Sequence, residues 1–267
     1  MNLSSGLKNS YRGWIQNSAR SRSFYSRFWH PIIRVAGVAQ KEHLWEELRE
    51  AALDIEGAGR LLAPPVVRHG PFAGLRYPEA ESAGSALLPK LIGSYERELH
   101  PVICAALAGP YTDFVDVGCA EGYYAVGFAL KKPGVKVWAF DTNPTARDLC
   151  QAMAVHNGVK SRVVVAAHCN AQELQKIPFS GRSLIFCDCE GFERQLFSPE
   201  TCRNLRAHDF LIEIHDFLDP FISHDLAPII RETHDIQRIH SIPDPSDPSF
   251  TNTPSWKNSI RRPRSRR

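Results

Sequence analysis

The segment Phe114-Val115-Asp116-Val117-Gly118-Cys119-Ala120-Glu121-Gly122-Tyr123-Tyr124 constrains this chain more than any other. An apolar run ends in an acid and then passes through small residues into a helical pattern, the signature of a buried strand, a tight turn and a helix. Glycines at 118 and 122 allow turn conformations that a Cβ resists, and they let the backbone approach a ligand at the start of the helix. The same two glycines would also serve plain strand-to-helix packing, so the motif by itself is compatible with both roles.

The pattern of apolar strand, turn and helix then recurs. Five buried strands are expected, over 114–117, 135–140, 162–166, 183–187 and 210–214, mostly separated by helical stretches as parallel strands require. A sixth is expected over 236–242, ended by Pro243. The expected fold is therefore α/β, a mostly parallel Rossmann-like sheet with helices on both faces over 110–243 and a helical N-terminal extension. A chain of 267 residues suits one such domain with extensions better than two full domains.

Residues 38–109 read as a helical and hairpin lead-in. Leu44, Leu48, Ala52 and Ile55 recur at helical spacing, Val66-Val67 and 70–77 suggest a small hairpin, and Pro89 and Pro101 divide 87–107 into two short helices. Residues 1–37 form a basic arm with Lys8, Arg12, Arg20, Arg22, Arg27 and Arg34, and these together with Lys41 all precede the first acid, Glu42. Residues 244–267 form a Pro-rich basic tail in which 256–260 is the one stretch resembling a short strand. Basic ends can attract nucleic acid or anionic membranes, but solvated arms are the simpler reading. No apolar run is long enough to span a membrane. Cys104, Cys119, Cys150 and Cys187 fall in apolar runs and are expected as buried free thiols in a reducing, cytoplasmic setting. Cys187 and Cys189, one residue apart, lack zinc-site spacing.

A second acid, Asp141, ends the next strand, Val137-Trp138-Ala139-Phe140. In that position a carboxylate can accept hydrogen bonds from both ribose hydroxyls, which would lay an adenosine across the strand tips. Asp141 could also cap the helix that begins near Pro144. The small residues Gly118, Ala120 and Gly122 recur every second position, unlike the G-x-G-x-x-G of a dinucleotide site. This spacing argues against an NAD oxidoreductase.

On these residues, and on the run Asp188-Cys189-Glu190-Gly191-Phe192-Glu193 after the fourth strand, residues 70–242 resemble the class I S-adenosylmethionine-dependent methyltransferases. Within them the chain is similar to the FkbM-like enzymes of sugar and polysaccharide biosynthesis, the D-x-E-G-x-E run being the more distinctive part. The resemblance implies S-adenosyl-L-methionine as cofactor, held by Asp116, Gly118, Cys119, Ala120, Glu121, Gly122 and Asp188. Asp141 would meet the ribose, Asn170 and Ala171 would lie near the adenine, and Asp116 or Glu121 near the cofactor's amino group. Asn170 and Ala171 also fit a plain loop. Tyr95 and Glu96 match a family stretch that closes over the cofactor, or they pack in the core. The resemblance also implies a final antiparallel strand, for which the prolines beyond Ile242 leave little room; without it the fifth strand would be an exposed edge.

Methyl transfer to a hydroxyl needs an in-line approach and a place for the proton. The candidates are Asp188, Glu190 and His215, the last within Glu213-Ile214-His215-Asp216 at the end of the fifth strand. Strand alternation sends Glu213 and His215 to one side and Asp216 away. Asp188 with His215 could work as an acid-base pair or as oxygen and nitrogen ligands for a divalent cation such as magnesium; no metal ligand set is assigned. The plainer reading makes Glu190 and Glu193 helix N-terminal acids. The expected acceptor is a small hydroxylated molecule or glycan. The alternatives are an inactive cofactor-binding partner module and an RNA methyltransferase using the basic ends, for which the tetrapeptide that handles flipped bases is missing.

Overall fold

The computed structural model describes residues 63–216, 218–241 and 256–260. The expected basic arm, the helix over 38–62 and most of the tail lie outside the described residues.

A short antiparallel bridge, Val66 to Arg76, forms the expected hairpin and leads to helices α1 (Leu87–Ile92) and α2 (His100–Ala108). The core then alternates β1 (Asp113–Val117), α3 (Tyr123–Lys131), β2 (Lys136–Phe140), α4 (Pro144–His156), β3 (Val163–Ala166), α5 (Ala171–Lys176) and β4 (Ser183–Cys187). It continues through α6 (Glu193–Leu196), α7 (Pro199–Asn204), β5 (Asp209–Glu213), α8 (Ile222–Arg231) and β6 (Gln237–His240). A seventh strand, β7 (Trp256–Ile260), completes one sheet of order β3-β2-β1-β4-β5-β7-β6. The first five strands of that order run parallel, and β7 is antiparallel to both β5 and β6. This is the mostly parallel, Rossmann-like sheet expected from the sequence.

The seventh strand corrects the sequence reading of that region. Prolines interrupt the chain before and after 256–260 but not within it, and the intact stretch pairs with Leu211–Glu213, so β5 is not an edge.

The central strands are buried on both sides, and alternation sorts their residues between two apolar layers. Phe114, Leu184 and Phe186 face the layer formed with α2, α3 and α4. Val115, Val117, Ile185 and Cys187 face the layer formed with α5 to α8. Phe114 stacks on Phe128 of α3 with ring centroids 4.1 Å apart. Each such buried ring contributes about 2–3 kcal/mol. Cys119, Cys150 and Cys187 are buried thiols as expected, but Cys104 is exposed. On the short α2 it is Ile103 and Ala106 that turn inward, which leaves Cys104 on the outer side.

Candidate active site

The strand tips of β1, β2 and β4 open into a cavity of about 530 Å³ whose wall includes Gly118, Cys119, Ala120, Asp141, Asp188 and Glu190. Its shape begins with backbone conformation. Gly118 and Gly122 adopt φ of 92° and 95°, and Ala120, a residue with a Cβ, is held at 47°. A Cβ on Gly118 would lie 1.7 Å from the Asp188 carbonyl oxygen, and one on Gly122 would lie 2.8 Å from Cys150 Sγ. Both glycines are therefore required by the protein's own packing, and of the two only Gly118 is on the cavity wall.

Four of the turn's amides are committed inside the protein. Gly118 and Cys119 N–H both donate to the Phe140 carbonyl, at 2.8 and 2.9 Å, and Gly122 N–H donates to Cys119 O at 2.8 Å. Ala120 N–H donates to Asp141 Oδ2 at 2.9 Å. The other oxygen of Asp141 accepts from Asn143 N–H at 2.8 Å. The loops after β1 and β2 are thus tied together at one carboxylate, and each of its oxygens keeps a lone pair for a further donor. The cap of α4 is Asn143, whose side chain accepts from Thr145 N–H, with Pro144 at the first helical position. Asp141 is free of the capping role that the sequence also allowed.

Glu121 turns away from the cavity. Its carboxylate is paired with the buried Lys90 ammonium and also accepts from Tyr77 O–H and Ala83 N–H, both at 3.1 Å. Lys90 is on the cavity wall, with its ammonium 5.0 Å from the Tyr95 ring centre and 5.6 Å from that of Tyr123. Sequence reasoning missed Lys90, whose signal is a single lysine inside the apolar run 87–92. Tyr95 is also on the wall, while Glu96 accepts a hydrogen bond from Tyr124 O–H at 2.5 Å.

Asp116 is fully buried behind the turn, and among the described residues neither of its oxygens has a hydrogen-bond partner. Burial, then the charges of Asp188 and Asp141, push its pKa well above the usual carboxylate range, and the nearby Ala125 amide offsets this only in part. After β3, the Asn170 side chain caps α5 by accepting from Gln172 and Glu173 N–H, each at 2.9 Å, in a reciprocal capping box with Glu173. Ala171 is the first residue of that helix. From this loop it is Ala167, His168 and Cys169 that reach the cavity. Asparagine before a helix with glutamate three positions on is a capping signature that the sequence already carried.

The far end of the cavity is acidic. Glu190 and Gly191, at φ of 50° and 100°, turn the chain after β4 so that Glu193 comes back beneath His215. His215 Nδ1 lies 2.6 Å from Glu193 Oε1, and its Nε2 lies 3.3 Å from Asp188 Oδ1 and 3.6 Å from Glu190 Oε2. Burial opposes charge on this imidazole, but the hydrogen bonds to Asp188 and Glu193, reinforced by Glu213, hold its pKa up at about 11. This environment favours the charged imidazole at neutral pH; the ring is buried and meets the cavity through Asp188 rather than lining it. Glu193 itself has no exposed surface; Oε1 also accepts from Gly191 N–H at 3.2 Å, and Oε2 has no partner among the described residues. A helix N-terminal role alone does not account for it. Asp216 turns away as expected, accepting from Ser223 N–H at 2.9 Å and Ser223 O–H at 2.6 Å.

No family model matches the chain, and no curated protein matches it. In structure it is similar to a putative O-methyltransferase from Klebsiella pneumoniae, at TM-score 0.46 and 12% identity over 64% of this chain and 81% of that one. It is similar to an rRNA methylase from Streptococcus thermophilus, at TM-score 0.47 and 13% identity over 64% and 99%. A third likeness is to an O-methyltransferase from Bacillus cereus in complex with SAH, at TM-score 0.42 and 13% identity over 56% and 72%. At these identities the likeness is one of fold, and the function has to be argued from the site. Among the described residues no helix is long and apolar enough to cross a membrane.

Proposed function

We infer that this chain is an S-adenosylmethionine-dependent methyltransferase acting on a hydroxyl of a sugar or other small hydroxylated molecule. The observation that carries the reading is the joined pair of loops at Ala120 and Asp141 on the wall of a cavity that also reaches Asp188 and Glu190. A nucleoside whose ribose hydroxyls donate to Asp141 would extend toward that acidic end. The committed amides of Gly118, Cys119, Ala120 and Gly122 support a sulfonium nucleoside over a dinucleotide. A dinucleotide needs such amides free for its pyrophosphate, whereas a sulfonium nucleoside has no phosphate to bind and benefits from nearby carboxylates.

In this reading the acceptor oxygen attacks the cofactor's methyl carbon in line. The new C–O bond forms as the C–S bond breaks, the electron pair stays on sulfur as a thioether, and the hydroxyl proton passes to Asp188 or Glu190. Glu190 is the more exposed of the two, with about half its side chain open to solvent. Protonated His215 positions Asp188 from behind rather than taking the proton itself. The FkbM-like resemblance, resting on Asp188-Cys189-Glu190-Gly191-Phe192-Glu193, is what favours a sugar-type hydroxyl. The seven free thiols fit a reducing, cytoplasmic setting.

Calorimetric titration with adenosylmethionine and with NAD, followed by methyl transfer to a panel of sugars and hydroxylated metabolites, tests this. One-to-one binding of adenosylmethionine without NAD binding is expected; the reverse preference would defeat the reading.

A further inference from the structure

We propose that Asp188, Glu213 and His215 form a binding site for one divalent cation beside the cavity, whose wall includes Asp188 while Glu213 and His215 are buried next to it. One ligand atom from each lies within 4.8 Å of the others, a span that cation–oxygen and cation–nitrogen bonds of about 2.1 Å can close with small movements of the side chains. The ligands come from the ends of two paired strands, β4 and β5, whose register fixes their spacing.

The imidazole is already oriented for this task. Glu193 Oε1 holds Nδ1 at 2.6 Å, which leaves Nε2 directed at Asp188. A buried carboxylate fixing the distal nitrogen of a histidine is the outer-shell arrangement that orients a metal ligand and raises its basicity. Charge points the same way. Asp188, Glu190 and Glu193 each bring a carboxylate oxygen within 3.6 Å of the imidazole, a concentration of negative charge that a cation taking the place of the Nε2 proton would meet. An independent sign is Glu193 Oε2, fully buried and without a hydrogen-bond partner among the described residues. A carboxylate in that position is costly unless positive charge reaches it through the imidazole. Two carboxylates and one imidazole suit cations that accept both oxygen and nitrogen, with Mn2+ a suitable probe. The site itself does not depend on the methyl-transfer reading. Within that reading, the cation is the charge an acceptor hydroxyl would meet beside Asp188, and only this role rests on it.

The test is titration of the full chain with Mn2+, without adenosylmethionine, followed by the electron paramagnetic resonance signal of free Mn2+. One Mn2+ per chain is expected. Asp188→Asn and Glu213→Gln should each weaken binding at least about ten-fold, and Glu193→Gln by a similar factor through the histidine, while Glu173→Gln changes nothing. Circular dichroism melting confirms that each variant is folded; Asp188→Asn, on a partly exposed side chain, serves as the decisive variant if the buried ones fail to fold. Absence of stoichiometric binding, or equal binding by wild type and Asp188→Asn, would overturn the cation site. A parallel adenosylmethionine titration separates the two readings. Mn2+ bound without any cofactor affinity sinks only the methyl-transfer reading, and cofactor bound without Mn2+ sinks only this one.

Discussion

The two rims of the sheet treat buried acids in opposite ways. Where strands begin, Asp209 receives both Nε and Nη2 of Arg182, at 2.8 and 2.9 Å, and Tyr111 O–H at 2.6 Å. Asp113 there accepts from Ser180 N–H, Ser180 O–H and Thr112 O–H at 2.9, 2.7 and 2.7 Å. Where strands end, the buried Asp116 has no hydrogen-bond partner among the described residues, and the buried Glu193 keeps one oxygen on His215 and has none for the other. A fold keeps a buried acid only when donors compensate it, so acids left short of donors mark a place where something outside the chain is meant to bind. The lower rim is structure; the upper rim is where we propose that a ligand binds.

That contrast can be broken by substitution. The largest effect is expected at the lower rim, where Arg182→Ala leaves Asp209 buried and short of its cation. A loss of about 2–3 kcal/mol in urea unfolding is expected, below the full value for a buried pair because Arg182 is partly exposed. Asp113→Asn should cost about 1.5 kcal/mol at pH 7. Burial alone would raise the Asp113 pKa, but the bonds from Ser180 and Thr112 outweigh it and hold it below its ordinary value. The stability it confers is therefore present above the unfolded-state pKa of about 4, and the gap to the variant should narrow as pH falls through the lower folded value. Asn170→Ala should cost about 1 kcal/mol through the lost cap. Its adenosylmethionine affinity should stay within about two-fold, since the side chain is turned to the helix.

Asp116→Asn carries the smallest expected cost and the opposite sign. Its raised pKa means that stability from the neutral carboxyl is complete below about pH 4 and is lost as pH climbs through the folded value. The variant should match wild type in acid and be the more stable of the two at pH 8 by thermal melting. A variant less stable at pH 8 would mean that Asp116 has a partner after all, and the contrast between the rims would weaken.

The β1-to-α3 motif and the alternation after it were enough to read the first five strands within a residue or two, because buried parallel strands and their crossovers write themselves as long apolar periods. That Asp141, Asp188 and His215 would stand just beyond the ends of their strands was legible from the apolar runs they follow, and such ends are where open α/β sheets hold ligands. What was not legible depends on contacts distant in sequence. Nothing local shows that Glu121 belongs to Lys90, that Gly122 gives way to Cys150, or that a left-handed turn at Glu190 and Gly191 carries Glu193 back under His215. The seventh strand was obscured by its flanking prolines, which bear on where a strand stops and not on whether an intact stretch between them can pair.

The central claim is that the loop at 118–122 and the carboxylate of Asp141 meet on one ribose. Titrating S-adenosylhomocysteine and its 2′-deoxyribose analogue against wild type and Asp141→Ala tests it most directly. Wild type should lose at least about ten-fold in affinity for the deoxy analogue, near 1.4 kcal/mol, and Asp141→Ala should bind both compounds equally. The same ratio in both proteins would show that the hydroxyl and the carboxylate never touch.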